Sequence, residues 1–246
     1  MFCKRKTTFK KTKTLYFCVM KTIVVTGASR GIGREVCIRF AELGHKVLAV
    51  SRNVETLQKL QTTSFYNLIP IELDISNLPK NGIDKIVQHT QKVDFLLNNA
   101  AVLVNKPFAE TTLQEWKHLF DVNLFSVVQL IQGLLPYFSR PAHIVNISSM
   151  GGFQGSAKFR GLSAYSASKA ALANLTECLA EELKYENIYC NALALGAVQT
   201  EMLQEAFPDY TAPTNPQTMA NFITNFMLHG FEVMNGKIIP VSITTP

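Results

Sequence analysis

Cysteine is scarce in this chain and nowhere paired. Its five copies, Cys3, Cys18, Cys37, Cys178 and Cys190, include no C-x-x-C and have no histidine cluster beside them. That argues against a disulfide framework or a zinc site, and it fits a reducing, cytoplasmic setting. No metal is expected. Long apolar runs are missing as well: none reaches the roughly 18 residues of a membrane span, and "LYFCVM" is too short for the apolar core of a secretory signal. Repeats, low-complexity tracts and linkers are absent, so residues 20–246 are expected to form one domain. The body of the chain also lacks a charge excess. The formal +6 resides in residues 1–19, where Lys4, Arg5, Lys6, Lys10, Lys11 and Lys13 stand without an acid. From Met20 onward the signs balance, so neither nucleic acid nor a membrane is expected as a partner. Residues 1–19 read as a basic extension, either a mis-called start ahead of Met20 or a disordered tail.

What is present is an alternation. Near-continuous apolar runs at "TIVVTG", "KVLAVS", "NLIPIELD", "VDFLLNN", "HIVNIS", "IYCNALAL" and "GKIIPVS" have the character of buried parallel strands. Amphipathic segments lie between them, among them "REVCIRFAELG", "LQEWKHLFDVNLFSVVQLIQGLLPYF" and "LSAYSASKAALANLTECLAEELKYEN". The order predicts an α/β fold: a single doubly wound Rossmann domain with a seven-stranded, mostly parallel sheet and helices on both faces.

Two clusters carry chemistry. "VVTGASRGIGREVC" places Gly27, Gly31 and Gly33 between the first strand and the first helix, with Ser29, Arg30 and Ile32 in the same loop. Bare backbone N–H groups and a positive helix end at that point suit a pyrophosphate, although the spacing departs from G-x-G-x-x-G. "AYSASKAALANL" sets Tyr165 and Lys169 one helical turn apart. Taken singly, such a pair is as readily an exposed helix pair, and such a loop a ligand-free turn.

Their joint occurrence in fixed order is more specific. "TGASRGIG", "NNAA" after strand four, Asn123 in the next helix, "ISS" ending strand five and "YSASK" together resemble the short-chain dehydrogenase/reductase family, from Met20 to about Val241. The resemblance implies Tyr165 as catalytic acid/base, Lys169 as its activator, Ser149 orienting the substrate oxygen, and Asn123 anchoring a water in the proton relay. It further implies Asn98 and Ala100 lining the cofactor, Asp74 meeting the adenine, and Val198 and Thr200 near the nicotinamide amide. Ser148 is a rival to Ser149. Three departures stand out: an enlarged loop between Ser149 and Tyr165, Leu195 where the family has proline, and Ala101 where it has glycine. Chemically, a carbonyl reduced by hydride needs a proton donor at its oxygen. A lysine ammonium, together with an oxidised nicotinamide, is expected to lower a tyrosine's pKa toward that use.

At the end of strand two, where NAD-specific sites hold the ribose diol with an acid, the chain has Ser51 followed by Arg52. With Arg30 in the glycine loop, two guanidinium groups favour a 2′-phosphate, hence NADP(H). Phe108, Phe153, Phe159, Phe207 and Tyr210 suggest an apolar substrate pocket, with Lys158 and Arg160 available to an anion. The expected activity is NADP(H)-dependent hydride transfer to or from a carbonyl or alcohol. A catalytically silent NADP-binding regulator or redox sensor is the alternative, and a nucleotide-sugar epimerase or dehydratase fits less well. Small-residue faces on the helices around Asn123 and Tyr165 point to a homodimer or homotetramer.

Overall fold

In the computed structural model, residues 19–63 and 65–243 are described. The basic extension, apart from Val19, lies outside the described residues. The seven apolar runs become β1 (Thr22–Thr26), β2 (Lys46–Ser51), β3 (Leu68–Glu72), β4 (Val93–Asn98), β5 (Phe138–Ser149), β6 (Ile188–Leu195) and β7 (Ile238–Val241). They form one sheet in the order β3-β2-β1-β4-β5-β6-β7. Every pairing is parallel, so the sheet is wholly and not mostly so. Near-continuous apolarity follows from that, because both faces are covered.

The helices are α1 (Gly31–Glu42), α2 (Glu55–Thr63), α3 (Gly82–Val87), α4 (Leu113–Phe120), α5 (Ser126–Leu134), α6 (Ser163–Glu182), α7 (Glu201–Ala206) and α8 (Pro216–His229). Alternation along β1 separates the two cores. Ile23 and Val25 pack with Val36 and Phe40 of α1 and with Ile223 and Met227 of α8. Val24 faces the other way, into a cluster with Leu130 and Ile131 of α5 and Leu172 of α6. Between α4 and α5 the chain makes a π turn, Asp121–Phe125, so that Leu113–Tyr137 is one continuous helical stretch of 25 residues. Its average apolarity would suffice to cross a membrane by length and composition. Here Leu119, Val127, Leu130, Ile131 and Leu134 are spent on the core.

Strand order reverses between β1 and β4, since the chain builds outward from β1 to β3 and then returns to continue from β4. A crevice opens beyond the carboxyl ends of those two strands, the place where such folds bind ligands.

Candidate active site

The loop leaving β1 enters α1 through Gly27 (φ +66°) and Gly31 (φ +54°), both left-handed. A Cβ on Gly27 would meet the Ala100 backbone at 2.8 Å, so glycine here lets two turns touch. Gly33 serves packing: a Cβ there would lie 2.3 Å from the Gly27 carbonyl oxygen. The N-terminus of α1 has no side-chain cap and no acid in its first turn, which leaves its N–H groups to an anion.

The turn after β4 is tied to this loop by two side chains. Thr26 Oγ1 donates to Leu97 O and accepts from the N–H groups of Asn99 (3.0 Å) and Ala100 (3.1 Å). Asn99 Nδ2 donates to the carbonyls of Thr26 and Gly27. Asn99, not Asn98, lines the cleft. Strand alternation turns Asn98 into the core, where it donates to Asn146 Oδ1 at 2.8 Å and its own Oδ1 finds no partner among the described residues. The adjacent asparagines of "NNAA" offered no signal beyond that alternation to choose between them.

A cleft of about 910 Å³ runs from Arg52 to Tyr210. Of the residues nominated from the sequence, it is lined by Gly27, Ser29, Arg30, Gly31, Ile32, Ser51, Arg52, Asp74, Ala100, Ser149, Tyr165, Lys169, Val198 and Thr200. Gly33, Asn98 and Asn123 stand behind its wall. Asn123 is fully buried in the π turn, accepting from Val102 N at 2.9 Å and donating to Val102 O and Ser168 Oγ at 3.0 Å. Phe159, Phe207 and Tyr210 reach the cleft; Phe153 does not, and Phe108 lies 72% exposed with its ring edge on Trp116. Lys158 turns back onto its own loop, donating to Phe153 O and Ser156 Oγ, and Arg160 stays outside.

β5 delivers the two serines and α6 the tyrosine and lysine. Both serines line the cleft, but Ser148 is buried and donates to Lys169 O at 2.9 Å, whereas Ser149 accepts from Gly151 N at 3.2 Å and is the hydrogen-bond partner of the Tyr165 phenol. Burial pushes that phenol up to about 12, against the pull of the Ser149 hydroxyl. Lys169 Nζ is 5.9 Å from the Tyr165 ring centroid and donates to Ile147 O at 2.8 Å. Burial alone brings Lys169 down to about 8. At the far end, burial works to raise Asp74, but the Ser76 hydroxyl and N–H, with the nearby Arg52 charge, outweigh it and hold the carboxyl below its usual range. Arg30 is held by Glu205 of α7, Nη1 to Oε1 at 2.5 Å and Nη2 to Oε2 at 3.4 Å, a partner that sequence reasoning missed because 174 residues separate them.

An uncapped helix end behind paired left-handed glycines, at one end of a cleft whose other end holds a buried lysine beside a tyrosine and a serine, fits a dinucleotide. The sequence profile of the short chain dehydrogenase family matches residues 21–211. The chain belongs to that family. Among relatives of this short chain dehydrogenase, the L-xylulose reductase of Caenorhabditis elegans is 36% identical over 77% of this chain and 76% of its own. A short chain dehydrogenase from Shigella flexneri, solved with NADP, is 27% identical with a TM-score of 0.81, covering 89% of this chain and 96% of that one. The 3-ketoacyl-(acyl-carrier-protein) reductase of Brucella melitensis, solved with NADH, has a TM-score of 0.80 at 24% identity, covering 90% and 96%, and shares the fold.

Proposed function

We propose that this short chain dehydrogenase is an NADP(H)-dependent oxidoreductase acting on a carbonyl or alcohol substrate, with Tyr165 as acid/base. The observation that carries the reading is the meeting of Tyr165, Ser149 and Lys169 in the cleft that also contains the glycine loop. When bound, the nicotinamide supplies or accepts the hydride. The chain's own residues do the rest. In reduction the Tyr165 phenol, kept protonated by its burial, donates to the substrate oxygen. Ser149 donates to the same oxygen and fixes its position. The Lys169 ammonium, predominantly charged at pH 7, stabilises the phenolate left behind, and its free donors are suited to ribose hydroxyls. In oxidation the phenol must first lose its proton, so that direction accelerates as pH rises. Asn123, behind the wall, would anchor a relay water through the π turn its side chain fixes.

For the cofactor, Gly27, Ser29, Gly31 and Ile32 would border the pyrophosphate, Asp74 the adenine, and Ala100, Val198 and Thr200 the nicotinamide half. Support for NADP(H) over NAD(H) comes from Arg30 and Arg52 on the cleft wall and Ser51, not an acid, at the end of β2. Exposed Phe108 ahead of α4, Leu113 at its start and Phe125 in the π turn support a homodimer or homotetramer. Free Cys37, Cys178 and Cys190 support a cytoplasmic setting.

The test pairs binding with turnover. NADPH should bind at least tenfold more tightly than NADH, about 1.4 kcal/mol, and Arg52→Asp should narrow that gap. Tyr165→Phe should lower carbonyl reduction by about 10²- to 10⁴-fold while NADPH binding stays nearly unchanged. Near wild-type turnover in Tyr165→Phe would remove Tyr165 from the chemistry. NADPH binding with no turnover of any carbonyl would leave the silent regulator.

A further inference from the structure

We propose, resting on the oxidoreductase reading above, that the substrate is an uncharged and predominantly apolar ketone or aldehyde, or the matching alcohol, and that polyhydroxy sugars and anionic carrier-linked acyl groups are rejected. The cleft that holds Tyr165 is lined by Leu103, Met150, Phe159, Leu162, Met202 and Phe207, contributed by four separate segments of the chain. Every charged residue on the cleft wall has another place. Arg30, Arg52 and Asp74 belong to the end where the glycine loop and β2 meet, and Glu201 lies against the glycine loop, its carboxylate 3.4 Å from where a Gly31 Cβ would be. Lys169 is buried against Ile147 O.

The cations nearest this chamber in sequence are also diverted. Lys106 pairs with Glu115 at 3.1 Å, Lys158 folds onto its own loop, and Arg160 does not line the cleft. An anionic carrier would therefore meet no counter-charge inside. The Ser149 and Tyr165 hydroxyls are occupied by the carbonyl oxygen itself, and the phenol of Tyr210, a residue 45% exposed, is the further hydroxyl offered by the aromatic residues of the wall. A sugar would bury several hydroxyls against leucine, methionine and phenylalanine, and each hydroxyl stripped of water without a partner costs about tenfold or more in affinity. An apolar body gains from the same wall. In the reaction, the carbonyl carbon gains hydrogen with two electrons from the reduced nicotinamide. The C=O π bond opens, the oxygen takes the Tyr165 proton, and solvent returns a proton to Tyr165.

The experiment uses the full chain with NADPH and three probes: 1-phenyl-1-propanone, L-xylulose and acetoacetyl-CoA. The expected result is a kcat/KM at least about 100-fold higher for the aromatic ketone than for either other probe. A higher value for L-xylulose or for acetoacetyl-CoA overturns the assignment. Calorimetric titration of NADPH-saturated Tyr165→Phe protein with the same probes gives an answer independent of catalysis. Binding of the ketone alone, with a negative heat-capacity change, supports the apolar chamber even if wild type turns nothing over, in which case the oxidoreductase reading alone fails. Binding of the sugar or the CoA thioester in preference to the ketone, or of no probe, overturns the substrate class whether or not the enzyme is active. Phe207→Ser should raise the KM for the ketone at least about tenfold; an unchanged KM would place the substrate elsewhere.

Discussion

Ser148 and Ser149 are neighbours at the end of β5, and a half-turn of the extended backbone gives them different work. The Ser148 hydroxyl is consumed by the Lys169 carbonyl, so Ser148→Ala should cost about 1 kcal/mol of stability, read as a shifted urea midpoint, with kcat close to wild type. Ser149→Ala should differ in kcat, lowering it about 10²-fold because its hydroxyl faces Tyr165, while its bond from Gly151 N makes the stability cost similar. Comparable kcat losses in both variants would dissolve the distinction. At this scale the sequence was legible where a motif fixes spacing: fourteen nominated positions from Gly27 to Thr200 do line one cleft. It was illegible where identical or adjacent residues differ only in the direction they point, as with Asn98 and Asn99. Pairings across the fold, such as Arg30 with Glu205, leave no trace in local sequence. His143 is another silent residue. It is buried between Phe226 and Phe231, and its partners fix the tautomer: Nδ1–H donates to Met227 O, while Nε2 accepts from Asn191 Nδ2. Burial brings it down to about 4. As pH falls below about 6.5 the unfolded chain takes this proton and the folded chain does not. Stability present above that point is therefore lost progressively down to about pH 4, by about 3 kcal/mol in all. Denaturation of His143→Gln at pH 7 and pH 5 should show a smaller drop than wild type; an equal drop would assign the acid sensitivity to other groups.

Elements tell a related story. The seven strands were readable from apolar runs, except that β5 begins at Phe138, five residues before "HIVNIS", because "SRPAH" carries a proline and polar residues that mask its extended character. The π turn was not readable at all. "LQEWKHLFDVNLFSVVQLIQGLL" keeps helical periodicity through it, and the cause is tertiary, the Asn123 side chain bonding to Val102 and Ser168. α7 was not legible either, its six residues being too few to show a period. This short helix is held to the glycine loop by the Arg30–Glu205 pair, in which both side chains are at least half exposed. If Arg30 serves a 2′-phosphate, it must leave Glu205 to do so. Exposed pairs hold weakly, so the competition should be small but measurable. Glu205→Gln should tighten NADPH binding roughly two- to fivefold and leave NADH binding unchanged. Equal gains for both cofactors, measured by fluorescence titration, would show that Arg30 is not reserved for the phosphate.

For the molecule as a whole, the sheet begins at Thr22 and the family profile at residue 21. A chain starting at Met20 should match the full chain in Tm and in NADPH affinity; a large drop in Tm would mean that residues 1–19 pack. Doubly wound topology was legible from the alternation of elements, since buried parallel strands and amphipathic crossovers leave few other arrangements. The helical stretch Leu113–Tyr137 acquires a different significance while the protein is being made. Its apolar side shares a core with Val24 and Leu96, made earlier, and with Ile144 of β5 and Leu172 of α6, which a ribosome adds later. The 45 residues from Tyr137 to the end of α6 at Glu182 take about 2–9 s to synthesise at roughly 5–20 residues per second. Throughout that interval part of this cover is missing from a segment long and apolar enough, by length and composition, to cross a membrane. A slower ribosome should therefore lengthen the exposure, read as a greater dependence of protein yield on chaperones at the ribosome exit.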